Sequence, residues 1–222
     1  MKKFLKPKGF WIHVWILSPI FRFLLRFTVK RGIFNVVVNG RDNVPATGPV
    51  IVASNHLSYA DPPCLWGALR RNAVFMAAKE LWYNPLFGWV LILMRHIPVD
   101  RKSRKSGEKA KKKFLGHLRA GGMGIIYPEG KISKTGELLA FKRGVYDLAL
   151  ESGALVVPGG VVGTNRLLPL RSKKINRREP VTMNFGEGIF ARDFASAESF
   201  LTELRLRIQA LSGQELEEEK EE

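Results

Sequence analysis

Two patterns of apolar residues alternate along most of the chain. Residues 50–54 are a short run rich in β-branched side chains, which is typical of a buried strand. Residues 104–120 carry apolar side chains at helical intervals instead, and Gly121 and Gly122 follow as a stop signal. Recurrence of the two patterns predicts strands over 34–38, 50–54, 72–77, 96–99, 124–127, 155–162 and 181–185, and helices over 62–71, 79–94, 104–120, 144–152 and 196–212.

The alternation of these elements predicts the fold class. Strands separated by helices favour an α/β fold, in which a mostly parallel central sheet is flanked by helices. We expect one domain over residues 33–213, because the chain shows no internal repeat and no long linker. Residues 214–222 are expected to form an acidic, frayed tail, since six of the last eight residues are Glu.

The first 32 residues combine basic side chains with a long apolar run. Residues 10–28 have about the length that crosses a bilayer, but Arg22 and Arg26 leave too short an apolar centre. The same arginines stand where a signal peptide would be cleaved. We therefore predict an N-terminal interfacial helical segment over residues 1–32, held at the cytoplasmic face of the cell membrane, where Lys and Arg are retained. The alternative is a helix that covers the domain's own core.

The net charge of the chain indicates which classes of binding partner it favours. A formal net charge of +16 attracts anions, so it favours nucleic acid, anionic lipid headgroups and phosphorylated small molecules. Cys64 is the single cysteine, which rules out an internal disulfide. The four histidines lack the paired spacing of a metal site, and the chain contains no C-x-x-C, so we expect no metal.

Residues 55–61 follow a predicted strand and read Asn-His-Leu-Ser-Tyr-Ala-Asp. His56 and Asp61 would point about 140° apart on a helix, so they have to meet in a loop. A carboxylate that reaches the imidazole would fix its tautomer and raise its basicity, which gives the base and orienter of a triad without the serine. From spacing alone, Asp61 is equally an N-cap ahead of Pro62. The nucleophile would be either the Cys64 thiol or a hydroxyl that the substrate brings.

Residues 55–61 resemble the NHxxxxD signature of the glycerolipid acyltransferases, the family of bacterial lysophosphatidate acyltransferases. Further motifs match that family in the same order, so that the resemblance covers residues 35–190. They are Lys79-Glu80-Leu81 with Pro85 and Gly88, Pro98-Val99-Asp100-Arg101, Tyr127-Pro128-Glu129-Gly130, Phe141-Lys142-Arg143-Gly144 and Val156-Val157-Pro158. One such motif alone would be weak, whereas the ordered set is specific.

The resemblance implies roles for several of these residues. His56 is implied to be the general base and Asp61 its orienting partner, while Arg101 and the Glu129-Gly130 loop would hold the phosphate of the acceptor. An arginine fork matches phosphate oxygens, and a glycine lets backbone amides approach an anion. Glu129 repels a phosphate, so we expect it to orient a basic neighbour or a backbone turn. The predicted substrate-binding residues are Asn55, Arg101, Glu129, Gly130, Lys131 and Lys142.

One stretch departs from the family's usual pattern. The family usually continues its Pro-Glu-Gly with Thr-Arg-Ser, whereas this chain has Lys131-Ile132-Ser133. A lysine is a point charge on a flexible stem, so we expect weaker phosphate binding or a different acceptor. Lys142 and Arg143 are candidates for the missing charge, and the alternative is that they form a solvated basic turn.

The resemblance and the basic charge together predict a 1-acyl-sn-glycerol-3-phosphate acyltransferase of phospholipid biosynthesis. It would move a fatty acyl group from acyl-CoA or acyl carrier protein to the free hydroxyl of lysophosphatidate, giving phosphatidate, with no cofactor besides that thioester. The alternatives are another phosphorylated acceptor, such as glycerol phosphate or a glycolipid, and noncatalytic binding of anionic lipid. A nucleic-acid-binding module is disfavoured, because basic clusters such as 101–105 suit an anionic membrane surface equally well, and the apolar N-terminus suits only the membrane.

Overall fold

The computed structural model describes residues 35–83, 88–100, 102–172 and 174–217, together with residues 20, 23, 24 and 27. The strands are β1 (Val36–Asn39), β2 (Val50–Ser54), β3 (Ala73–Ala78), β4 (Ile97–Val99), β5 (Met123–Ile126), β6 (Leu155–Val162), β7 (Val181–Phe185) and β8 (Ile189–Phe190). The helices are α1 (Asp61–Ala68), α2 (Gly88–Leu93), α3 (Arg104–Arg119), α4 (Gly144–Ser152), α5 (Thr164–Leu167) and α6 (Ala197–Ser212), with 3-10 turns at Arg41–Asn43, Lys79–Tyr83 and Ala191–Asp193.

The described strands join one sheet in the order β1-β7-β6-β2-β5-β3-β4, and β8 pairs with β6 beside that path. Every pairing between these strands is parallel except β6 with β7 and β6 with β8. Parallel neighbours need a crossover connection, which is usually a helix. The predicted α/β fold, with a mostly parallel central sheet and flanking helices, is confirmed.

The central strand β2 lies between two hydrophobic cores. The side chains of Val50 and Val52 lie in one core with those of α1, whereas Ile51 and Ala53 lie in a second core that α3, α4 and α6 cover. All residues of β2 are buried, and the strand pairs with β5 on one side and β6 on the other. Burial on both faces explains the continuous apolar run in the sequence. The loop that follows β2 therefore starts from a fixed position.

The segment over 79–94, predicted as helical with an interruption at Pro85, is divided. A 3-10 turn occupies Lys79–Tyr83, and α2 begins only at Gly88. Residues 84–87 lie outside the described residues. Pro85 in that interval disfavours a continuous helix, because proline has no N–H and restricts the residue before it.

Four residues of the expected acidic tail pack against the domain. Residues 214–217, which we call the C-terminal strap, run parallel to Leu138. Leu138 donates its N–H to the carbonyl of Glu215 at 2.7 Å, and its own carbonyl accepts the N–H of Glu217 at 3.0 Å. The expectation of fraying does not hold for this segment, because an acidic composition gives no sign of backbone pairing with a distant loop. Residues 218–222 lie outside the described residues.

The predicted interfacial segment over 1–32 lies outside the described residues except for Ile20, Phe23, Leu24 and Phe27. These four apolar side chains stand at helical spacing and are all exposed. Within the part of the chain that the structure describes, no helix has the length and hydropathy needed to cross a bilayer. The membrane contact of this segment therefore stays a prediction.

Strand β5 packs so closely against α3 that residue 124 has no room for a side chain. A Cβ on Gly124 would lie 2.1 Å from Cζ of Phe114, whose ring is fully buried. We expect Gly124→Ala to lower the free energy of unfolding by about 2 kcal/mol, which is within the range for overpacking a core. Urea denaturation followed by circular dichroism measures this change.

Gly116→Ala on the exposed face of α3 is the matched control for that substitution. No atom lies within 4 Å of its Cβ position, and alanine favours a helix, so the free energy of unfolding should rise by up to about 1 kcal/mol. If Gly124→Ala were as stable as the parent protein, the close contact between β5 and α3 would be wrong.

Candidate active site

The loop after β2 brings His56 and Asp61 together. His56 Nδ1 lies 2.7 Å from Asp61 Oδ2. The same oxygen accepts the backbone N–H groups of Leu57 at 2.7 Å and Ser58 at 2.8 Å. Asp61 is the first residue of α1, and Ala60 holds the N-cap position, so the alternative reading of Asp61 as an N-cap is wrong. The carboxylate instead organises the loop that carries the histidine.

This contact sets the tautomer of His56. An ionised carboxylate only accepts hydrogen bonds, so Nδ1 carries the proton and the neutral imidazole keeps its lone pair on Nε2. Among the described residues, none makes a hydrogen bond to Nε2. The His56 side chain is 14% exposed, whereas that of Asp61 is fully buried, so an incoming molecule reaches the imidazole and not the carboxylate. The arrangement is suited to removing a proton from a group that approaches Nε2.

The ring of Tyr127 packs against the imidazole of His56. It follows β5 directly, and its ring stacks on that of His56 with centroids 4.0 Å apart and an interplanar angle of 13°. Burial, and secondly the charge of Asp61, raises the pKa of the Tyr127 hydroxyl well above its usual value. The phenol therefore stays neutral, and its ring limits the orientations that the imidazole can adopt.

The Glu129 carboxylate connects the His56 loop to a second loop. Its Oε1 accepts the N–H of His56 at 2.7 Å, and its Oε2 accepts the N–H of Leu139 at 3.1 Å. Glu129 is only 1% exposed, and this burial raises its pKa to about 7 despite the two N–H donors, which lower it. Glu129 therefore orients backbone, one of the two roles expected for it. Its contact with substrate stays a prediction.

Gly130 forms a tight turn beneath Lys142. Its φ of 72° is in the left-handed region that glycine favours, and its N–H donates to the carbonyl of Tyr127 at 3.0 Å. A Cβ at this position would lie 2.9 Å from Cε and Nζ of Lys142, so that ammonium group lies over the turn. Lys142 and Lys131 are both exposed. The predicted phosphate contacts of Gly130 and the two lysines stay predictions.

The side chain of Asn55 is fully buried and bonds to the protein itself. Its Oδ1 accepts the N–H of Val161 at 2.7 Å, and its Nδ2 donates to the carbonyl of Val161 at 2.8 Å. The same Nδ2 donates to Oε1 of Gln214 at 2.6 Å. These contacts hold the start of the loop, and the predicted contact of Asn55 with substrate stays a prediction.

Arg101 lies outside the described residues, but its neighbours line a basic cleft. Lys79 and Asp100 form an ion pair there, in which their hydrogen bond raises the pKa of Lys79 and lowers that of Asp100. The cleft has a volume of about 280 Å³ and opens at the carboxyl ends of β3 and β4, on the same edge of the sheet as His56. Its lining residues are Lys79, Pro98, Asp100, Ser106, Lys109, Ala110 and Lys113.

Cys64 is a poor candidate for the nucleophile. It is buried in α1, and burial, with a smaller effect of Asp61, raises the pKa of its thiol to about 12. A thiol attacks as the thiolate, which this environment disfavours. The alternative in which the substrate supplies a hydroxyl is therefore favoured by the chemistry of the site.

Sequence reasoning gave no role to Tyr127, Ser133 or Gln214, which hold the site together. Tyr127 lies near the start of the His56 loop because the residue before it, Ile126 of β5, pairs with Ala53 of β2. Ser133 donates its backbone N–H to the carbonyl of His56 at 2.8 Å, and Gln214 reaches Asn55 from the C-terminal strap. No sequence signal pointed to these last two contacts.

Glu129 should make the stability of the protein depend on pH. Its pKa is raised from 4.5 to about 7 in the folded state, so the folded protein binds more protons than the unfolded chain between these values. The free energy of unfolding should therefore fall as pH rises across this interval and then level off. At about 1.4 kcal/mol per pKa unit, the part due to Glu129 is at most about 3.5 kcal/mol. Urea denaturation at a series of pH values measures it.

Glu129→Gln isolates this contribution. The amide oxygen accepts only one of the two N–H groups, so the variant should be less stable at low pH by about 1–3 kcal/mol. Its stability should also lack the Glu129-dependent fall with pH. Glu198→Gln, on the exposed face of α6, is the charge-matched control and should keep the fall. An unchanged pH dependence in Glu129→Gln would contradict the raised pKa.

Comparisons with known proteins show which proteins this chain is similar to. The chain is 29% identical over 143 residues to the chloroplastic 1-acyl-sn-glycerol-3-phosphate acyltransferase LPAT1 of Arabidopsis thaliana, across 64% of this chain and 40% of that protein. It is 29% identical over 165 residues to the 1-acyl-sn-glycerol-3-phosphate acyltransferase of Bacillus subtilis, across 74% of this chain and 78% of that protein. The chain thus spans less than half the length of the chloroplast relative.

A solved structure and a family model extend the comparison. The crystal structure of the 1-acyl-sn-glycerophosphate acyltransferase PlsC from Thermotoga maritima matches with a TM-score of 0.73 and 25% identity, covering 87% of this chain and 78% of that one. The acyltransferase family model matches residues 35–162, which include the His56 loop, Tyr127 and Glu129. Because this match covers more than half of the sequence and the whole of the His56 loop, the chain belongs to the acyltransferase family.

Proposed function

We propose that this protein transfers a fatty acyl group from a thioester to the free hydroxyl of lysophosphatidate, giving phosphatidate. The observation that carries the proposal is the His56 imidazole at the carboxyl end of β2, which Asp61 holds through Nδ1 while the side chain stays partly exposed. The relatives named above support the choice of acceptor, since their names specify 1-acyl-sn-glycerol 3-phosphate.

The proposed reaction needs one base and two substrates. Nε2 of His56 takes the hydroxyl proton as the acceptor oxygen attacks the thioester carbonyl carbon, so that a C–O bond forms and the C–S bond breaks. The departing thiolate then takes the proton from the imidazolium. Asp61 stabilises that imidazolium, and it keeps Nε2 as the lone-pair nitrogen before the next cycle. The atoms balance with the alcohol and the thioester alone, so the step requires no further cofactor.

The phosphate of the acceptor would bind among the cations that surround the loop. Lys131 and Lys142 lie next to the Gly130 turn, and Arg101 follows Asp100 at the edge of the basic cleft. A phosphate placed there would be held by point charges from the lysines and by the fork of the arginine. Either acyl-CoA or acyl carrier protein fits this basic surface as the anionic donor.

A second candidate acceptor follows from Lys131-Ile132, which stands where the family usually has Thr-Arg. Without the arginine usual at this point, the site offers a less directional contact to a phosphate. Glycerol phosphate or a phosphorylated glycolipid therefore remains the second candidate, with the same base and the same thioester donor. The noncatalytic alternative gives no account of the buried Asp61 carboxylate that orients a partly exposed imidazole.

We place the reaction at the cytoplasmic surface of the cell membrane. The exposed apolar side chains of Ile20, Phe23, Leu24 and Phe27 suit an interfacial segment, and the net charge of +16 suits anionic headgroups. Such a location would bring the lysophospholipid to His56 without a soluble carrier. The charge suits this surface as well as it suits nucleic acid, but the apolar segment would contribute nothing to the binding of nucleic acid.

His56→Ala should lower kcat/KM for acyl transfer by about 10²–10⁴-fold, the usual contribution of a general base. Asp61→Asn should also be strongly impaired, because an amide can leave the lone pair on the wrong ring nitrogen. Acceptor-dependent thiol release from acyl-CoA and from acyl carrier protein measures both variants. Cys64→Ala is the control and should keep activity within a few-fold of the parent. Loss of transfer in a folded Cys64→Ala protein, with His56→Ala active, would instead support a thiol mechanism.

Lys131→Ala and Lys142→Ala should each raise the KM for lysophosphatidate by about 5–10-fold with little change in kcat. Each variant loses a contact with the phosphate that is equally strong in the ground state and the transition state. Lys134→Ala, an exposed lysine in the same loop, is the matched control and should leave the KM unchanged. Steady-state kinetics with lysophosphatidate, glycerol 3-phosphate and a phosphorylated glycolipid compares the acceptors. An unaltered KM in both variants would contradict the proposal that these lysines bind the phosphate of the acceptor.

A further inference from the structure

The C-terminal strap reaches the catalytic loop through one side chain. Gln214 accepts a hydrogen bond from Nδ2 of Asn55 at 2.6 Å, and its Nε2 donates to the carbonyl of Gly136 at 2.5 Å. We propose that Gln214 is a positioning residue for acyl transfer, which holds the His56 loop in place through Asn55. This inference rests on the proposed function, because it concerns the placement of the same base.

The orientation of the Asn55 and Gln214 side-chain amides follows from backbone partners that can only donate or only accept a hydrogen bond. The N–H of Val161 can only donate, so the atom of Asn55 that faces it is Oδ1, and Nδ2 faces Gln214. The carbonyl of Gly136 can only accept, so Gln214 presents Nε2 to it and Oε1 to Asn55. Each donor in the series from Val161 through Asn55 and Gln214 to Gly136 therefore faces an acceptor. A side chain of different polarity or length at residue 214 breaks at least one of these bonds.

The contacts of Gln214 are part of a closed ring of hydrogen bonds around His56. Gly136 donates its N–H to Oγ of Ser133 at 3.1 Å, and Ser133 donates its own N–H to the carbonyl of His56 at 2.8 Å. His56 is covalently bonded to Asn55, where the ring began. Gln214 thus joins the residue that precedes His56 to the loop that holds the carbonyl of His56.

The strap has its own anchors, so Gln214 is not needed to hold it against the domain. Leu138 pairs with the strap through two backbone hydrogen bonds, and Nη2 of Arg205 donates to the carbonyls of Leu138 at 2.9 Å and Glu217 at 3.3 Å. The side chain of Gln214 makes both of its bonds to Asn55 and Gly136, on the side of the catalytic loop. Its loss should therefore loosen that loop more than it loosens the fold.

Gln214→Met tests the inference, because it keeps the length of the side chain and removes both hydrogen bonds. With the thioester donor that the parent uses, kcat should fall about 10-fold or more, since small displacements of a catalytic group have large effects on rate. The KM for donor and acceptor should stay within about 2-fold of the parent. Gln209→Met, the same change on α6 at a side chain for which the structure describes no hydrogen bond, should leave kcat unchanged.

A double-mutant cycle tests whether Gln214 acts through Asn55. In an Asn55→Ala background the link is already broken, so adding Gln214→Met should lower kcat no further. An additive effect, an unchanged kcat in the single variant, or a rise in KM at constant kcat would each overturn the proposed positioning role.

Hydrogen exchange separates this inference from the proposed function. The amides of residues 56–58 donate to Glu129 and Asp61, so they should exchange about 10-fold faster in Gln214→Met than in the parent or in Gln209→Met. If the parent transfers no acyl group to any acceptor, the proposed function fails while faster exchange still supports the contact of Gln214 with the loop. Equal exchange in the three proteins overturns the inference whatever the activity.

Discussion

The buried carboxylate of Asp61 is the constraint on which the site depends. A fully buried negative charge is costly unless hydrogen-bond donors compensate it, and here one oxygen receives the imidazole and two backbone N–H groups. These three donors come from consecutive residues, His56 to Ser58, so the chain has to curl around the oxygen. The conformation of the loop and the tautomer of the histidine are thus fixed by the same atom.

The sheet brings the remaining parts of the site to this loop. β2 lies between β5 and β6, and all three are parallel, so the residues that follow β2 and β5 emerge side by side at one edge. Tyr127 and Glu129 follow β5 and contact the ring and the backbone of His56, respectively. Asn55 turns its amide toward β6 and pairs with both backbone groups of Val161. The site is therefore assembled from backbone positions that the sheet already determines.

The sequence was sufficient for the parts that depend on local pattern. The β-branched run of β2 predicted a buried strand, and the alternation of strands with helices predicted a mostly parallel sheet. The spacing of His56 and Asp61 predicted a loop in which the two side chains meet. The contacts of Glu129 with His56, and of Gln214 with Asn55, join residues 73 and 159 positions apart, and no periodicity or turn signal encodes such a pair. The same limit explains the strap, whose acidic composition suggested a frayed tail although its backbone pairs with Leu138.

The hydrogen bonds that hold the His56 loop have a consequence for how its sequence can change. Glu129 holds the N–H of His56, and Asp61 holds the N–H of Leu57, so neither contact depends on which side chain residue 57 carries. Tyr59, in the same loop, points into solvent with 51% of its surface exposed. Substitutions at position 59 can thus alter the outer surface of the loop while Glu129 and Asp61 still hold the backbone of His56 and Leu57. The loop thus combines a backbone held by Glu129 and Asp61 with an exposed side chain that can be replaced, so its outer face can change without disturbing the contact between His56 and Asp61.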